Sequence, residues 1–300
     1  MRTFVVTGAS GYIASHMCYE LRQAYPDCFI VGVDKIMKHK LSRLYDKFYV
    51  YDLARTNSTI LDKHKVDCVF HFAAYASVPE GESIPYTYYQ NNIMSSMRLL
   101  DEAIFFRVKN FVFSSSCSVY GVPDYTPIDE DHPKRPVSTY AQTKSMFEDI
   151  LLAAEKQHNI RAGILRYFNA AGRNVEADLY EEHEPETHLI PNLMKSNDVV
   201  VYGDGSAVRD YIHVIDLCKA HISAYEYMEK NDTGIICNLG TGKGMSVLDV
   251  MKSIGKDFNV EYQQARPGDL PELYANTDRM RNDLTFECQH DILSIVQSMK

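Results

Sequence analysis

The 300 residues exceed a typical single domain, and a hydrophobic fraction of 45% supports a sizeable core, so we expect one large domain with a smaller companion. The net charge is −9, and no basic block suits a nucleic-acid backbone, so no nucleic-acid partner is expected. No stretch approaches the roughly 20 apolar residues of a membrane span, and the first residues read as a strand rather than a signal peptide. Seven scattered cysteines without a CxxC pair are typical of a reducing compartment, which predicts a cytoplasmic protein that does not contact membranes.

Short β-rich runs alternate with helical patterns in the first half of the chain. Strands are predicted at 3–7, 29–33, 49–51, 68–72, 111–115 and 162–166, and helices at 12–25, 85–106 and 139–158. The runs VDCVFHF and NFVFSS are almost continuously apolar, as is typical of strands covered on both faces of a parallel sheet. The alternation predicts an α/β fold, a doubly wound parallel sheet of the Rossmann type.

Capping residues indicate where several helices begin. Pro85 fits the first turn of its helix, where a missing N–H is harmless, with Ser83 or Glu82 near the cap. Asp216 is interpreted as the N-cap of a later helix, and one clear helix is predicted in the tail at 246–258.

A change of composition predicts the domain boundary. After Asn169 the pattern loosens into a polar, acidic stretch. We therefore expect a cofactor-binding domain at 1–168 and a smaller C-terminal α/β substrate domain at 169–300. A segment near 208–240 is expected to pack back on the first domain.

A glycine-rich turn follows the first strand and opens the first helix. Gly8 permits a tight turn, and Gly11 lets the backbone approach a pyrophosphate at the positive end of the helix. Ala14 takes the position where close packing of helix on strand still tolerates a methyl group. In this strand–turn–helix context, the pattern predicts a dinucleotide site rather than a plain glycine turn.

Asp34, at the end of the second strand, indicates which dinucleotide binds. A carboxylate there accepts hydrogen bonds from the adenosine ribose and repels a 2′-phosphate, so NAD is favoured over NADP. Lys35, Lys38 and Lys40 could favour a phosphate instead, but we interpret them as a solvated loop. The predicted adenine contacts are Asp52 and Leu53.

Tyr140 and Lys144 lie four residues apart, on one face of a predicted helix. An ordinary phenol, with a pKa near ~10, is a poor base at neutral pH. The Lys144 ammonium would lower the pKa of the phenol and could also bind the nicotinamide ribose. The serines that end at Ser116 put hydroxyls at the carboxyl edge of the sheet, where such folds bind ligands. The pattern predicts alcohol–ketone redox chemistry.

Ten short motifs run in order through essentially the whole chain: TGASGYIA, HFAA, YYQNN, FSSSCSVYG, YxxxK, LRYFNAAG, HEPETHLIPN, VRDYIHVIDL, NLGTGKGMSVLDV and RPGDLPE. Together they resemble the extended short-chain dehydrogenase/reductase family, and most closely its UDP-glucose 4-epimerases. The resemblance implies an NAD-dependent enzyme that inverts C4 of a UDP-hexose, such as UDP-glucose or UDP-galactose, through a transient 4-keto sugar.

The resemblance also implies roles for matched positions. Tyr140 would be the catalytic base, Lys144 its activator, and Ser116 the partner of the reacting hydroxyl. NAD would contact Gly8, Gly11, Tyr12, Ile13, Asp34, Asp52, Leu53, Phe72, Ala73, Ala74, Asn92, Tyr140, Lys144 and Tyr167. The UDP-sugar would contact Ser116, Asn169, His188, Leu189, Tyr202, Arg209, Arg266 and Asp269. An ordinary salt bridge with Asp210 is the alternative for Arg209.

Two further expectations concern partners and metals. A homodimer is expected through the helices at 85–106 and 139–158, where the large side chains are Tyr86, Tyr89, Met97 and Phe105. The alternative is that these side chains simply pack on the sheet. His183 and His188 could be mistaken for metal ligands, but without cysteines or carboxylates at ligand spacing we expect no metal ion.

Related activities remain as alternatives. A 4,6-dehydratase needs an Asp-Glu pair where this chain has Cys117 and Ser118, and glucuronate decarboxylases usually keep a Glu at the second position. A non-catalytic cofactor-sensing protein would typically have lost the tyrosine or the lysine. Three features leave the identity of the sugar undetermined: Ala76, where several epimerases have a lysine, the short segment before Val208, and Leu273. A reductase or a 4-epimerase of an N-acetylated sugar therefore remains an alternative.

Overall fold

The computed structural model describes residues 1–55, 60–182, 186, 188–265 and 270–300, which divide into two compact units. The first unit comprises Met1–Gly121, Pro133–Arg166 and Cys218–Cys237, and the second comprises Val122–His132, Tyr167–Leu217 and Asn238–Lys300. The units interleave along the chain, because the first unit resumes at Pro133 and again at Cys218. The segment that returns to the first unit is shorter than the predicted 208–240.

The elements follow one another with short connections. The strands are β1 Thr3–Thr7, β2 Phe29–Asp34, β3 Lys47–Val50, β4 Cys68–His71, β5 Asn110–Ser116, β6 Arg161–Tyr167, β7 Asn169–Ala171, β8 Asp198–Tyr202, β9 Val208–His213, β10 Ile235–Leu239, β11 Gly244–Ser246, β12 Asn259–Gln263 and β13 Glu272–Leu273. The α-helices are α1 Tyr12–Ala24, α2 Val78–Ser83, α3 Pro85–Tyr88, α4 Ser95–Phe105, α5 Thr139–Gln157, α6 Leu189–Lys195, α7 Val214–Asn231, α8 Val247–Ile254, α9 Asp278–Asn282 and α10 Ile292–Ser298. A π-helical turn, Tyr89–Met94, joins α3 to α4. Among the described residues, no helix combines the length and apolarity required to cross a membrane.

A seven-stranded sheet forms the first unit, in the order β10-β6-β5-β4-β1-β2-β3. The strands from β5 to β3 pair in parallel, with Val5 opposite both Val31 and Val69. Every residue of β1 and β5 is buried, because helices cover both faces of the sheet. The predicted doubly wound parallel sheet is confirmed. Its strand order reverses between β1 and β4, and in such sheets this switch point is where ligands bind.

The second unit is built around smaller sheets. Strand β9 pairs with β11 in antiparallel and with β13 and β7 in parallel orientation, while β8 pairs in parallel with β12. A separate hydrophobic core holds this unit together, and its buried residues include Ile190, Leu193, Val201, Val250 and Ile295.

Pro85 lies in the first turn of its helix as predicted, whereas the prediction of Asp216 as an N-cap was wrong. Ser83 and Glu82 belong to α2, and Ile84 stands at the N-cap of the next helix. The Glu82 carboxylate instead accepts a hydrogen bond from the backbone N–H of Thr139 at 2.7 Å. Asp216 lies inside the first turn of α7, where its buried carboxylate accepts the backbone N–H groups of residues 289 and 290, each at 2.9 Å.

Two other elements differ in length from their predictions. Helix α8 ends at Ile254 rather than at 258, because Gly255 adopts the left-handed conformation with φ of 73° that ends helices. The predicted strand at 49–51 lies at Lys47–Val50.

Candidate active site

The glycine turn after β1 provides space for a phosphate group. Gly8 has φ of 67°, and a Cβ atom there would lie 2.9 Å from the backbone nitrogen of Ala73. Gly11 precedes α1 and has no side chain to cover the first turn of that helix. Tyr12 and Ile13 are the first residues of α1, where backbone N–H groups have no acceptor within the helix. This geometry fits a pyrophosphate.

A cavity of about 200 Å³, which we call the cofactor cavity, opens beside this turn. It is lined by Gly8, Gly11, Asp34, Lys35, Tyr51, Asp52, Leu53, Phe72, Ala73, Ala74, Tyr75, Asn91 and Ser95. Most of these residues lie at or just after the ends of β1, β2, β3 and β4. Asn91 lies on the π-helical turn, and Ser95 is the first residue of α4. Five of the lining residues were not among the predicted cofactor contacts: Lys35, Tyr51, Tyr75, Asn91 and Ser95. The first four are each adjacent in sequence to a residue that was predicted.

Asp34 faces the glycine turn. One carboxylate oxygen accepts the backbone N–H of Ser10 at 2.9 Å, and the other accepts that of Lys35 at 2.6 Å. These bonds fix the carboxylate at the mouth of the glycine turn, as an adenosine ribose site requires. Lys35 is exposed and lies in the bend after β2, as predicted for a solvated loop, but its Nζ also donates a hydrogen bond to Asn91 Oδ1 at 2.6 Å.

Asn92 is buried and bound to protein groups. Its amide nitrogen donates to the Tyr75 carbonyl and to Thr143 Oγ1, both at 3.0 Å, and its Oδ1 accepts the backbone N–H of Tyr75 at 2.8 Å. The side chain therefore ties the segment after β4 to helix α5. Its predicted contact with the cofactor stays a prediction.

Tyr140 and Lys144 lie in the first turns of α5, with their side chains buried. The helix starts there because the Ser138 side chain caps it, accepting the backbone N–H of Ala141 at 3.2 Å. Lys144 Nζ donates to the Ser114 carbonyl at 2.6 Å and lies 5.7 Å from the centre of the Tyr140 ring. Ser116 ends the adjacent strand β5 and accepts a hydrogen bond from the Ser118 hydroxyl at 3.0 Å. The residues predicted to be catalytic thus belong to one helix and one strand end of the first unit.

The environment of Lys144 makes its ammonium unusually easy to deprotonate. Burial lowers the pKa of Lys144 to about 7, and the Glu148 carboxylate partly opposes that shift. Glu148 lies one helical turn further along α5 and is itself fully buried. Its carboxylate accepts hydrogen bonds from the Ser115 hydroxyl at 2.5 Å and from the Arg166 guanidinium at 2.7 and 2.9 Å. The lysine therefore responds to pH near neutrality.

The second unit contains a pocket of about 480 Å³, which we call the second-unit pocket. The predicted substrate residues Asn169, His188, Leu189, Tyr202 and Arg209 all line it. Tyr167, predicted to contact the cofactor, also belongs to the second unit and ends β6. Three residues singled out in the sequence, His183, Arg266 and Asp269, lie outside the described residues.

The Arg209 guanidinium is bound to backbone carbonyl groups. It donates to the carbonyl oxygens of Val208 and Leu270, both at 2.8 Å. The Asp210 carboxylate is fully buried and accepts the backbone N–H groups of Thr241 at 2.8 Å and Gly242 at 3.0 Å. The alternative of a salt bridge between Arg209 and Asp210 was therefore wrong.

His188 has carboxylates beside it, contrary to the sequence analysis. Its Nδ1 lies 2.6 Å from Glu181 Oε1, and ligand atoms of Glu181, Glu186 and His188 all lie within 4.8 Å of one another. The hydrogen bond to Glu181 raises the pKa of His188. That no metal ion binds stays a prediction.

Comparison with known proteins shows to which family the chain is related. Residues 4–240 match the NAD dependent epimerase/dehydratase family. A UDP-glucose 4-epimerase of Rhizobium meliloti (strain 1021) is 36% identical, over 98% of this chain and 94% of that protein. The crystal structure of UDP-glucose 4-epimerase from Brucella ovis in complex with NAD is 33% identical, with a TM-score of 0.92, over 99% of this chain and 97% of that one. The enzyme from Stenotrophomonas maltophila, with bound NAD and formylated UDP-arabinopyranose, is 30% identical, with a TM-score of 0.92, over 99% and 96%. The chain belongs to the NAD dependent epimerase/dehydratase family.

Proposed function

We propose that this protein is an NAD-dependent 4-epimerase of a UDP-hexose that interconverts UDP-glucose and UDP-galactose. The observation that carries the proposal is the buried pair of Tyr140 and Lys144 beside the end of β5, in a unit whose glycine turn opens on the cofactor cavity. The named relatives, two of them with NAD in their crystal structures, support the same reaction.

Each catalytic side chain has a distinct task in this reaction. Tyr140 removes the proton of the sugar 4-hydroxyl and returns it after inversion. The Lys144 ammonium, held by the Ser114 carbonyl, stabilises the negative charge that develops on the phenol oxygen. Ser116 holds the reacting hydroxyl through its own hydroxyl group. When bound, NAD supplies a reversible hydride acceptor, so it is not consumed overall.

The second-unit pocket is the proposed site for the nucleotide part of the substrate. Arg209 brings a fixed positive charge to a pocket that also presents the Asn169 amide and the Tyr202 hydroxyl. A guanidinium suits a diphosphate because it can donate two parallel hydrogen bonds to phosphate oxygens. Arg266 and Asp269 are proposed to contribute to the same binding.

The end of β5 argues against water elimination. A dehydratase expels a hydroxyl with the help of carboxylic acids, but Cys117 is a buried thiol and Ser118 donates its hydroxyl to Ser116. Neither side chain can take the role of a carboxylic acid. Inversion at C4 needs no such group, so the geometry favours the epimerase.

The direct test is product analysis with a panel of UDP- and dTDP-hexoses, including N-acetylated sugars. With UDP-galactose, we expect UDP-glucose, resolved by chromatography or NMR. The purified protein should also absorb as bound NADH after incubation with the UDP-sugar. If only a dTDP- or N-acetylated sugar is inverted, the mechanism holds and the proposed substrate is wrong. If no nucleotide sugar is inverted, the proposed function is wrong.

We further propose that the protein is a cytoplasmic homodimer. The seven cysteines are all free thiols, which suits a reducing compartment. Tyr86 is 72% and Phe105 77% exposed, and Met97 is also exposed, so the helical segment from α3 to α4 presents large apolar side chains of the kind enriched at interfaces. Light scattering at micromolar concentration should give twice the monomer mass, and a monomer would contradict the dimer. Cell fractionation tests the compartment.

A further inference from the structure

Lys35 is held at the cofactor cavity by several separate segments. Its Nζ donates hydrogen bonds to Asn91 Oδ1 at 2.6 Å and to the Tyr75 hydroxyl at 3.1 Å. The same ammonium lies 4.7 Å from the centre of the Tyr75 ring and 3.8 Å from Asp52 Oδ1. These partners come from the π-helical turn and from the segments that follow β4 and β3. A long side chain that is 38% exposed is thereby directed to one place.

The charges around the cavity give this position its importance. Asp34 and Asp52 bring two carboxylates to the wall, and Lys35 is the single cationic side chain among the described residues that line it. A dinucleotide brings a pyrophosphate with two further negative charges. The positive end of α1 is worth only about half an elementary charge. Arg55, which is 88% exposed and is not among those lining residues, also lies 3.5 Å from Asp52, so that carboxylate has two cationic neighbours. Loss of Lys35 would still remove positive charge from the wall and leave it less favourable for the ligand that the glycine turn is shaped to receive.

We propose that Lys35 is a cofactor-binding residue whose ammonium offsets Asp34 and Asp52 and attracts the phosphates of the dinucleotide, with Asn91 as its positioning residue. The proposal rests on the proposed function, since it assumes that the cavity holds NAD. Two adjacent residues would then have different roles in the selection of the cofactor. Asp34 disfavours a 2′-phosphate, whereas Lys35 favours every phosphate within its reach.

The test measures binding, not turnover. Protein freed of dinucleotide is titrated with NAD and with NADP by calorimetry, at low and at high salt. Lys35→Met is expected to weaken NAD binding about tenfold, the scale of a lost hydrogen bond to a charged group. It should weaken NADP binding more, because NADP carries an additional phosphate. NAD binding by the variant should also depend less on salt concentration than NAD binding by the wild type.

Two control variants separate charge from structure. Lys35→Arg keeps the positive charge and is expected to retain most of the affinity. Lys38→Met removes a nearby lysine that is not among the described residues lining the cavity, and it should bind NAD as the wild type does. Asn91→Ala should weaken NAD binding when Lys35 is present but add nothing to Lys35→Met, because the two residues act together.

The outcomes that overturn the proposal are distinct from those that overturn the proposed function. If Lys35→Met binds NAD as tightly as the wild type, Lys35 is not a cofactor-binding residue. If it lowers the melting temperature of the free protein and weakens NAD and NADP equally, with unchanged salt dependence, Lys35 is only a structural tie. A wild-type protein that binds neither dinucleotide would overturn the proposed function and this assignment with it.

Discussion

The cofactor cavity and the second-unit pocket are built in different ways. The cavity lies at successive strand ends of one parallel sheet, and its shape depends on backbone: the turn at Gly8, and the N–H groups that fix Asp34. The second-unit pocket collects side chains from β7, α6, β8 and β9, with Arg209 held by two carbonyl oxygens. Backbone geometry therefore gives the cofactor cavity its shape, whereas the choice of side chains determines the second pocket. We infer that the reaction type depends on the first unit and the identity of the substrate on the second.

The largest effect should come from the first unit. Tyr140→Phe removes one hydroxyl and spares the packing, so kcat is expected to fall at least ~100-fold while the fold persists. Steady-state kinetics and circular dichroism check this. Tyr262→Phe, at a tyrosine of the second unit that is 56% exposed, is the matched control and should be fully active. If Tyr140→Phe turns over as fast as the wild type, Tyr140 is not the catalytic base.

A substitution in the second unit should affect binding and not chemistry. Arg209→Met removes a positive charge from the pocket, so KM for the UDP-sugar is expected to rise roughly 10- to 100-fold with little change in kcat. Arg281→Met, an arginine of the same unit paired with Asp278, serves as control. A large fall in kcat with unchanged KM would contradict the division of labour between the units.

A smaller effect is expected on cofactor choice. Asp34→Ala removes the acceptor for the ribose hydroxyls and the repulsion of a 2′-phosphate, so the preference for NAD over NADP should fall about tenfold. Titration of dinucleotide-free protein with both cofactors measures the ratio. Tighter binding of NADP than of NAD by the wild type would show that Asp34 has been misinterpreted.

The smallest expected effect concerns pH. Lys144 acts as an ammonium, so activity falls as pH rises through its pKa, which burial lowers to about 7. The Glu148 carboxylate raises that pKa, so Glu148→Gln should lower it and move the alkaline fall of kcat/KM to lower pH. Asp149→Asn removes an adjacent carboxylate that is 66% exposed and should leave the profile unchanged. A shift to higher pH in Glu148→Gln would contradict this account of Lys144.

The contrast between the two regions also explains which parts of the fold and of the sites could be predicted from the sequence. The glycine turn and the strand that ends at Asp34 are short local patterns, so the fold and much of the cofactor cavity were predictable. The place of Lys35 in the cavity wall was not predicted because its partners Tyr75 and Asn91 are distant in sequence, and only folding brings them together.

Long-range contacts likewise hid features of the second unit. The acceptors of Arg209 include the Leu270 carbonyl, and the carboxylate of Asp210 is satisfied by loop N–H groups from Thr241 onward. Neither arrangement leaves a periodic or spacing signal. Asp216 is of a residue type that often caps helices, but α7 begins at Val214, and the Asp216 carboxylate accepts the backbone N–H groups of residues 289 and 290. Local propensity could not reveal these tertiary contacts.

The proposed epimerase reaction inverts C4 of the sugar within one binding event. The most direct measurement uses UDP-galactose carrying deuterium at C4, incubated with the protein and any dinucleotide that copurifies with it. We expect UDP-glucose of unchanged mass, with the deuterium still at C4, analysed by mass spectrometry and NMR. A product lighter by one water, or loss of the label from C4 to free dinucleotide, would contradict the epimerase assignment.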